Sequence, residues 1–160
     1  MRFALPLIAL VLAAPLAAKD SLGVFGQWGA FRDTAPARCY AIAMAEPSSA
    51  RRDTQPFASI ANWPSRNVRG QVHVRMSRQL ADTPRLSLAV GGERFTLAGG
   101  GSDGWAKDAA GDRAIVAAMR GASRMSVSGT DARGNRFTDR YSLDGAATAI
   151  DAATIGCARR

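Results

Sequence analysis

From Gln71 to Ser77 the side chains alternate without a break: Val72, Val74 and Met76 on one side, Gln71, His73, Arg75 and Ser77 on the other. Only an extended chain, whose successive side chains point to opposite faces, buries one such set and leaves the other in water. A strand is therefore expected over Arg69 to Arg78. Similar short runs recur down the chain, separated by Gly, Pro, Asn and Asp. Val24 to Phe31, weakened by Gly26 and Gly29, reads as a first strand. Arg38 to Ala45 is apolar on both faces and reads as a central strand. A polar loop over Glu46 to Gln55 leads to Phe57–Trp63, which Pro64 stops. Leu86 to Val90 and Glu93 to Leu97 flank Gly91-Gly92, the mark of a two-residue hairpin, in a register that sets Leu86 opposite Leu97 and Leu88 opposite Phe95. A second hairpin joins Arg124–Gly129 to Arg136–Tyr141.

Two segments break the period of two. Asp108 can cap a helix running to about Arg120, with Ile115, Val116 and Met119 as its apolar stripe and Gly121 as its stop. Ser142 can cap a second, with Leu143, Ala146, Ala147, Ile150 and Thr154 at helical spacing and Cys157 on the same stripe. Hairpins with segregated helices predict a mainly β protein. Its core is antiparallel and β-sandwich-like, with one or two short packed α-helices, or α+β on a strict helix count.

The first 18 residues carry an address. Met1-Arg2 is positive, Phe3 to Leu12 is apolar around Pro6, and Ala13-Ala14-Pro15-Leu16-Ala17-Ala18 precedes charged Lys19-Asp20. These are the parts of a secretory signal, with cleavage expected after Ala18. The apolar stretch is shorter than the ~20 residues that span a bilayer. No later stretch matches it, so no transmembrane segment is expected after signal removal. Residues 19–160 then form a single exported domain, periplasmic or secreted, and an apolar content of 47% argues for a folded globule.

Export gives meaning to the two cysteines. Outside the cytoplasm an even count reads first as a disulfide, and the one intramolecular pairing is Cys39–Cys157. The competing reading is two separate buried thiols. One His and two Cys cannot build a zinc finger or an iron–sulfur cluster, and no cofactor or metal site is expected.

Candidate chemistry is sparse. His73 lies on the polar side of its strand beside Arg75, and a solvent-facing side chain is expected. Gly99-Gly100-Gly101-Ser102-Asp103-Gly104 fits the letters of a dinucleotide loop, but the hairpin before it is the wrong setting and a turn is expected. Asp103, Asp108 and Asp112 offer oxygens without the spacing of a calcium loop. Asp139 falls on the inward face between Phe137 and Tyr141, where it needs an Arg or a backbone partner. Trp28, Trp63 and Trp105 read as core residues. No catalytic residue is assigned.

Charge is the informative surface property. The exported part holds 20 basic against 13 acidic residues, a formal +7, and 19 of the chain's 21 basic residues are Arg. Arg suits bidentate contacts to phosphate, sulfate or carboxylate. Arg66, Arg69, Arg75 and Arg78 lie along one strand and the residues leading into it, and are the candidate anion-binding set; Arg124, Arg133, Arg136 and Arg140 mark the second hairpin. The expected partner is an anionic envelope or host-surface polymer. The competing reading is a solvated surface from an Arg-biased chain. Nucleic acid is not expected, because no reading motif is present.

Several blocks carry a family resemblance. Phe25-Gly26-Gln27-Trp28-Gly29-Ala30-Phe31 with Arg38-Cys39-Tyr40-Ala41-Ile42, then Ile115 to Gly121, then Tyr141 to Ile150, resemble in order the invasion-associated locus B family of exported bacterial proteins. The resemblance implies an envelope or secreted β-rich protein, linked in some members to host-cell invasion, with no defined catalytic residues. Members often carry further cysteines that Arg32 and the Gly99–Trp105 region do not supply here, so the Cys39–Cys157 expectation rests on compartment and parity. The leading expectation is an exported non-enzymatic protein that binds at the cell envelope or host surface. The alternative is a structural or stress-related periplasmic protein with no specific ligand. The residues give least support to a hydrolase using His73 with Asp139 or Ser77.

Overall fold

The computed structural model describes residues 19–158, and the expected leader lies outside them. The described chain runs β1 (Lys19–Phe25), β2 (Trp28–Thr34), β3 (Ala37–Met44), β4 (Phe57–Trp63), β5 (Val68–Arg75), β6 (Leu86–Val90), β7 (Glu93–Gly100), β8 (Asp103–Ala106), α1 (Ala109–Gly121), β9 (Arg124–Thr130), β10 (Arg136–Ser142) and α2 (Ala146–Ala158). The strands form one antiparallel sheet in the order β1-β2-β3-β4-β5-β8-β7-β6-β9-β10. The fold is thus mainly β with two short helices, as the alternation requires.

The layering comes from one sheet that folds over itself. The Glu46 N–H donates to the Arg140 carbonyl at 2.7 Å, the Trp28 indole N–H to the Ser142 carbonyl at 2.9 Å, and the Tyr141 hydroxyl to the Arg75 carbonyl at 3.4 Å. These bonds tie edge strand β10 to the far half of the sheet. One core results, with Trp28, Ile60, Val74, Leu88, Val127 and Tyr141 fully buried. Both helices pack into it on the inner face, α1 through Ile115 and Met119, α2 through Ala146, Ala149, Ile150 and Ala153. Because α2 lies across β1, β2 and β3, its final turn carries Cys157 to Cys39 on the inner face of β3, and the two are bonded with Cα atoms 5.7 Å apart.

The β6–β7 hairpin has the expected register, Leu86 opposite Leu97 and Leu88 opposite Phe95. Asp108 caps α1, its Oδ1 accepting the Gly111 N–H at 2.7 Å. Three expectations need correction. Val24 to Phe31 is not one strand: Gly26 and Gln27 form a turn, and the run is the end of β1 and the start of β2. The glycine-rich run is a turn at Gly101-Ser102, but it also yields an unexpected strand, β8. Ser142 does not cap α2. It stays in β10, its Oγ accepts the Asp144 N–H at 3.2 Å, and the helix begins at Ala146.

Candidate functional site

Alternation fixes what the second half of the sheet shows to solvent. With Leu86, Leu88, Val90, Met125, Val127 and Tyr141 buried, the intervening residues face out. Their register forms rows across four strands. One row reads Thr138, Ser128, Ser87, Thr96; the next reads Arg140, Ser126, Ala89, Arg94. Arg136 lies along β10 from Arg140, and Arg124 along β9 from Ser126. Strands about 4.8 Å apart and a rise of about 3.3 Å per residue separate Arg94 from Arg140 by ~14 Å and Arg136 from Arg140 by ~13 Å at the backbone. Arg124 and Arg140 flank a depression of about 230 Å³ floored by Ala89 and Ser126.

Two properties distinguish this face. First, Arg94, Arg124, Arg136 and Arg140 are exposed, and among the described residues none has a carboxylate within 4 Å. By register no outward position of β6, β7, β9 or β10 is Asp or Glu; Glu93, exposed at the start of β7, pairs with Val90 on the opposite face from Arg94. Second, the residues between the Arg positions are Ser and Thr apart from Ala89, Ser128 and Thr138 lying 2.9 Å apart oxygen to oxygen. Hydroxyls donate and accept, so such a surface can meet both anionic oxygens and sugar hydroxyls. None of the outward residues of β6, β7, β9 and β10 is aromatic, the neighbouring ring being Trp105 on β8, opposite Ala98 and already stacked on His73, and the face offers little apolar area for entering a membrane.

The four Arg singled out from the β5 region do not assemble into a comparable site. Arg75 is bidentate to Asp103, Nε to Oδ1 and Nη2 to Oδ2, both at 3.0 Å. Arg78 is largely buried, 3.9 Å from Asp131. Arg66 stacks on Trp63 at 4.9 Å from the ring centre, and Arg38 lies over the same ring at 5.2 Å. Arg69 is exposed but turned toward the helices rather than along the outer rim. Two of the four charges are therefore compensated, and the other two point to different places.

His73 is not freely solvated. Its Nε2 lies 2.8 Å from Asp103 Oδ1, its ring stacks on Trp105 with centroids 5.2 Å apart, and Phe57 meets it edge-on at 5.3 Å. The β5–β8 pairing, which sets His73 opposite Trp105 and Arg75 opposite Asp103, makes this cluster. A hydrolytic arrangement with Asp139 or Ser77 is not formed. Asp139 sits on the buried face and accepts the Ser77 backbone N–H at 2.8 Å, which is the partner its burial demands. Asp108 caps α1, Asp112 accepts the Val72 N–H at 2.8 Å, and Asp103 serves Arg75 and His73, so the three carboxylates do not converge. Among the described residues no group of His, Cys, Asp and Glu is arranged to hold a metal. Of the tryptophans only Trp28 is core; Trp63 and Trp105 are on the outer face.

Burial alone pushes the Asp103 carboxyl up, but the hydrogen bonds from Arg75 and His73 outweigh it and hold the group below the ordinary carboxylate range. A carboxylate depressed in the folded state contributes stability that is present above its unfolded pKa and lost as pH falls through the folded one. The parent should therefore exceed Asp103→Asn in Tm at neutral pH, and the gap should close on acidification below the ordinary carboxylate range. Thermal unfolding across an acid pH series checks this; a gap independent of pH would contradict it.

No family model, curated protein or solved structure matches this chain.

Proposed function

We propose that this chain is an exported, non-enzymatic binding protein, similar to the invasion-associated locus B family, that holds anionic polysaccharide on the outer face of β6, β7, β9 and β10. The leader-like residues 1–18 and the Cys39–Cys157 bond support action outside the cytoplasm. The observation that carries the reading is the set of four Arg without carboxylate partners among the described residues, interleaved with Ser and Thr on one sheet face. Isolated phosphate would need one Arg fork. A row of charges spaced over more than ~10 Å suits a polymer with repeated anionic groups, whose contacts add without a deep pocket.

A structural reading has one observation behind it. β10 is an edge strand, and charged residues guard edges against pairing with other chains. That accounts for Arg136 and Arg140. It does not account for Arg94, because β7 lies inside the sheet between β8 and β6.

The test is binding to an immobilised sulfated polysaccharide at low and high salt. Exposed charges are screened over about 8 Å at physiological ionic strength and about 3 Å at 1 M, so the parent should bind at low salt and release as salt rises. Changing Arg94, Arg124, Arg136 and Arg140 together to Gln should weaken binding by at least about tenfold, a loss on the scale of 1.4 kcal/mol. The same change at Arg66, Arg69, Arg75 and Arg78 should cost much less. Equal loss in both sets would mean a general field, and no salt-sensitive binding in the parent would favour the structural reading.

A further inference from the structure

A cleft opens where α1 and α2 part over the end of β4 and β5. Between the pairs Ala61–Gln71 and Trp63–Val68, one residue of β4, Asn62, faces two of β5, Arg69 and Gly70. This is a β-bulge in which Gly70 has φ +67°, a conformation that side chains resist, and its N–H donates to Asn62 Oδ1 at 3.0 Å. The extra residue inverts the alternation. Val68 stands opposite outward Trp63, so Arg69, which an unbroken strand would turn out with Gln71 and His73, comes to the inner side with Asn62. There it lines a cleft of about 310 Å³ with Arg113, Val116 and Ala117 of α1 and Ile150 and Thr154 of α2. A hollow of about 180 Å³ adjoins it and shares Asn62, Arg69 and Thr154.

The cleft holds unused polar capacity over an apolar floor. Asn62 is 7% exposed. Because its oxygen must face the Gly70 donor, its NH2 group points the other way, where its partner is Thr154 Oγ1 at 3.5 Å, the outer limit of a hydrogen bond. Thr154 meanwhile donates to the Ile150 carbonyl at 2.8 Å. Arg120 at the rim is held by Asp151 at 2.6 Å. Arg69 and Arg113 have no carboxylate within 4 Å among the described residues. We infer that this cleft binds a single-chain amphiphile by its anionic head, Arg69, Arg113 and the Asn62 amide taking the head oxygens while Val116, Ala117 and Ile150 cover the chain. Charge complementarity selects the anion, and a volume at the lower end of small-molecule sites selects one alkyl chain rather than a paired-chain lipid. The inference is independent of the polysaccharide reading, because the cleft lies on the helix side of the sheet.

Decanoate is the probe, with decanol and acetate as its uncharged and chainless counterparts, followed by calorimetry and by the fluorescence of Trp63, which lines the adjoining hollow. The parent should bind one decanoate saturably, decanol about tenfold or more weakly, and acetate not measurably. Arg69→Gln with Arg113→Gln should weaken decanoate about tenfold and leave decanol unchanged, since both side chains are exposed and the fold does not rest on them. The sheet-face variant with Arg94, Arg124, Arg136 and Arg140 changed should bind decanoate as the parent does. Equal affinity for decanoate and decanol, parent-like decanoate binding in the double Arg variant, or association only above the concentration where decanoate forms micelles would overturn the inference.

Discussion

Replacing Gly145 by Ala is expected to cost about 3–5 kcal/mol, a large share of the total stability of a domain this size. Gly145 makes the corner between β10 and α2 with φ +82°, and a Cβ built on it would lie 1.8 Å from the Phe25 carbonyl oxygen and 2.3 Å from the Phe25 carbonyl carbon. Those neighbours are backbone and cannot swing aside. The same corner holds the two halves of the sheet together: the Gln27 N–H donates to the Asp144 carbonyl at 3.1 Å, and the Trp28 indole to the Ser142 carbonyl at 2.9 Å. Moving the corner to admit a methyl group breaks both bonds and loosens fully buried Trp28. Gly121→Ala is the control, because a Cβ there meets nothing within 4 Å among the described residues. Urea unfolding should place Gly145→Ala far below the parent, or find it unfolded, and Gly121→Ala close to the parent. Equal midpoints for all three would contradict the packing described at this corner.

Removing the Cys39–Cys157 bond should have an effect of similar size. The bond closes a loop across a sequence separation of 118. In the chain-entropy treatment a loop this long is worth about 5 kcal/mol, and measured losses for native disulfides run at about 2–5 kcal/mol. The bond also fastens α2 to the inner face of β3, where Cys39 is fully buried. Cys39→Ala with Cys157→Ala removes the link while leaving small apolar side chains. Its urea midpoint should drop well below that of the oxidised parent and agree with that of the parent unfolded in reductant. A double variant as stable as the oxidised parent would show that the cross-link contributes nothing beyond packing.

What could be read in advance follows the range of the interaction. The β6–β7 register and the Asp108 cap are set within a few residues, by Gly91-Gly92 and by one side chain reaching three residues on. Alternation also put His73 on the outward face of β5. Its half-burial comes from Trp105 and Asp103 on β8, a four-residue strand inside a glycine-rich run, with no pattern long enough to announce it. The basic face shows the same division. Arg124, Arg136 and Arg140 are recognisable as a group on one hairpin. Arg94 joins them only because β6 pairs with β9, a contact between distant segments that periodicity does not encode. Arg69 is the opposite case, since an unbroken alternation assigns it to the outer rim and the bulge at Gly70 turns it inward.

The anionic-polymer reading makes its claim about a place, so the most direct measurement locates contact residue by residue. Amide NMR spectra of isotope-labelled residues 19–160, titrated with a short sulfated oligosaccharide at low salt, serve this purpose. The account predicts shifts concentrated at Arg94, Thr96, Arg124, Ser126, Ser128, Arg136, Thr138 and Arg140, reversed by added salt, with the Trp63, His73 and Trp105 regions unmoved. Shifts centred on β2 to β5, or spread evenly over every exposed Arg, would contradict it.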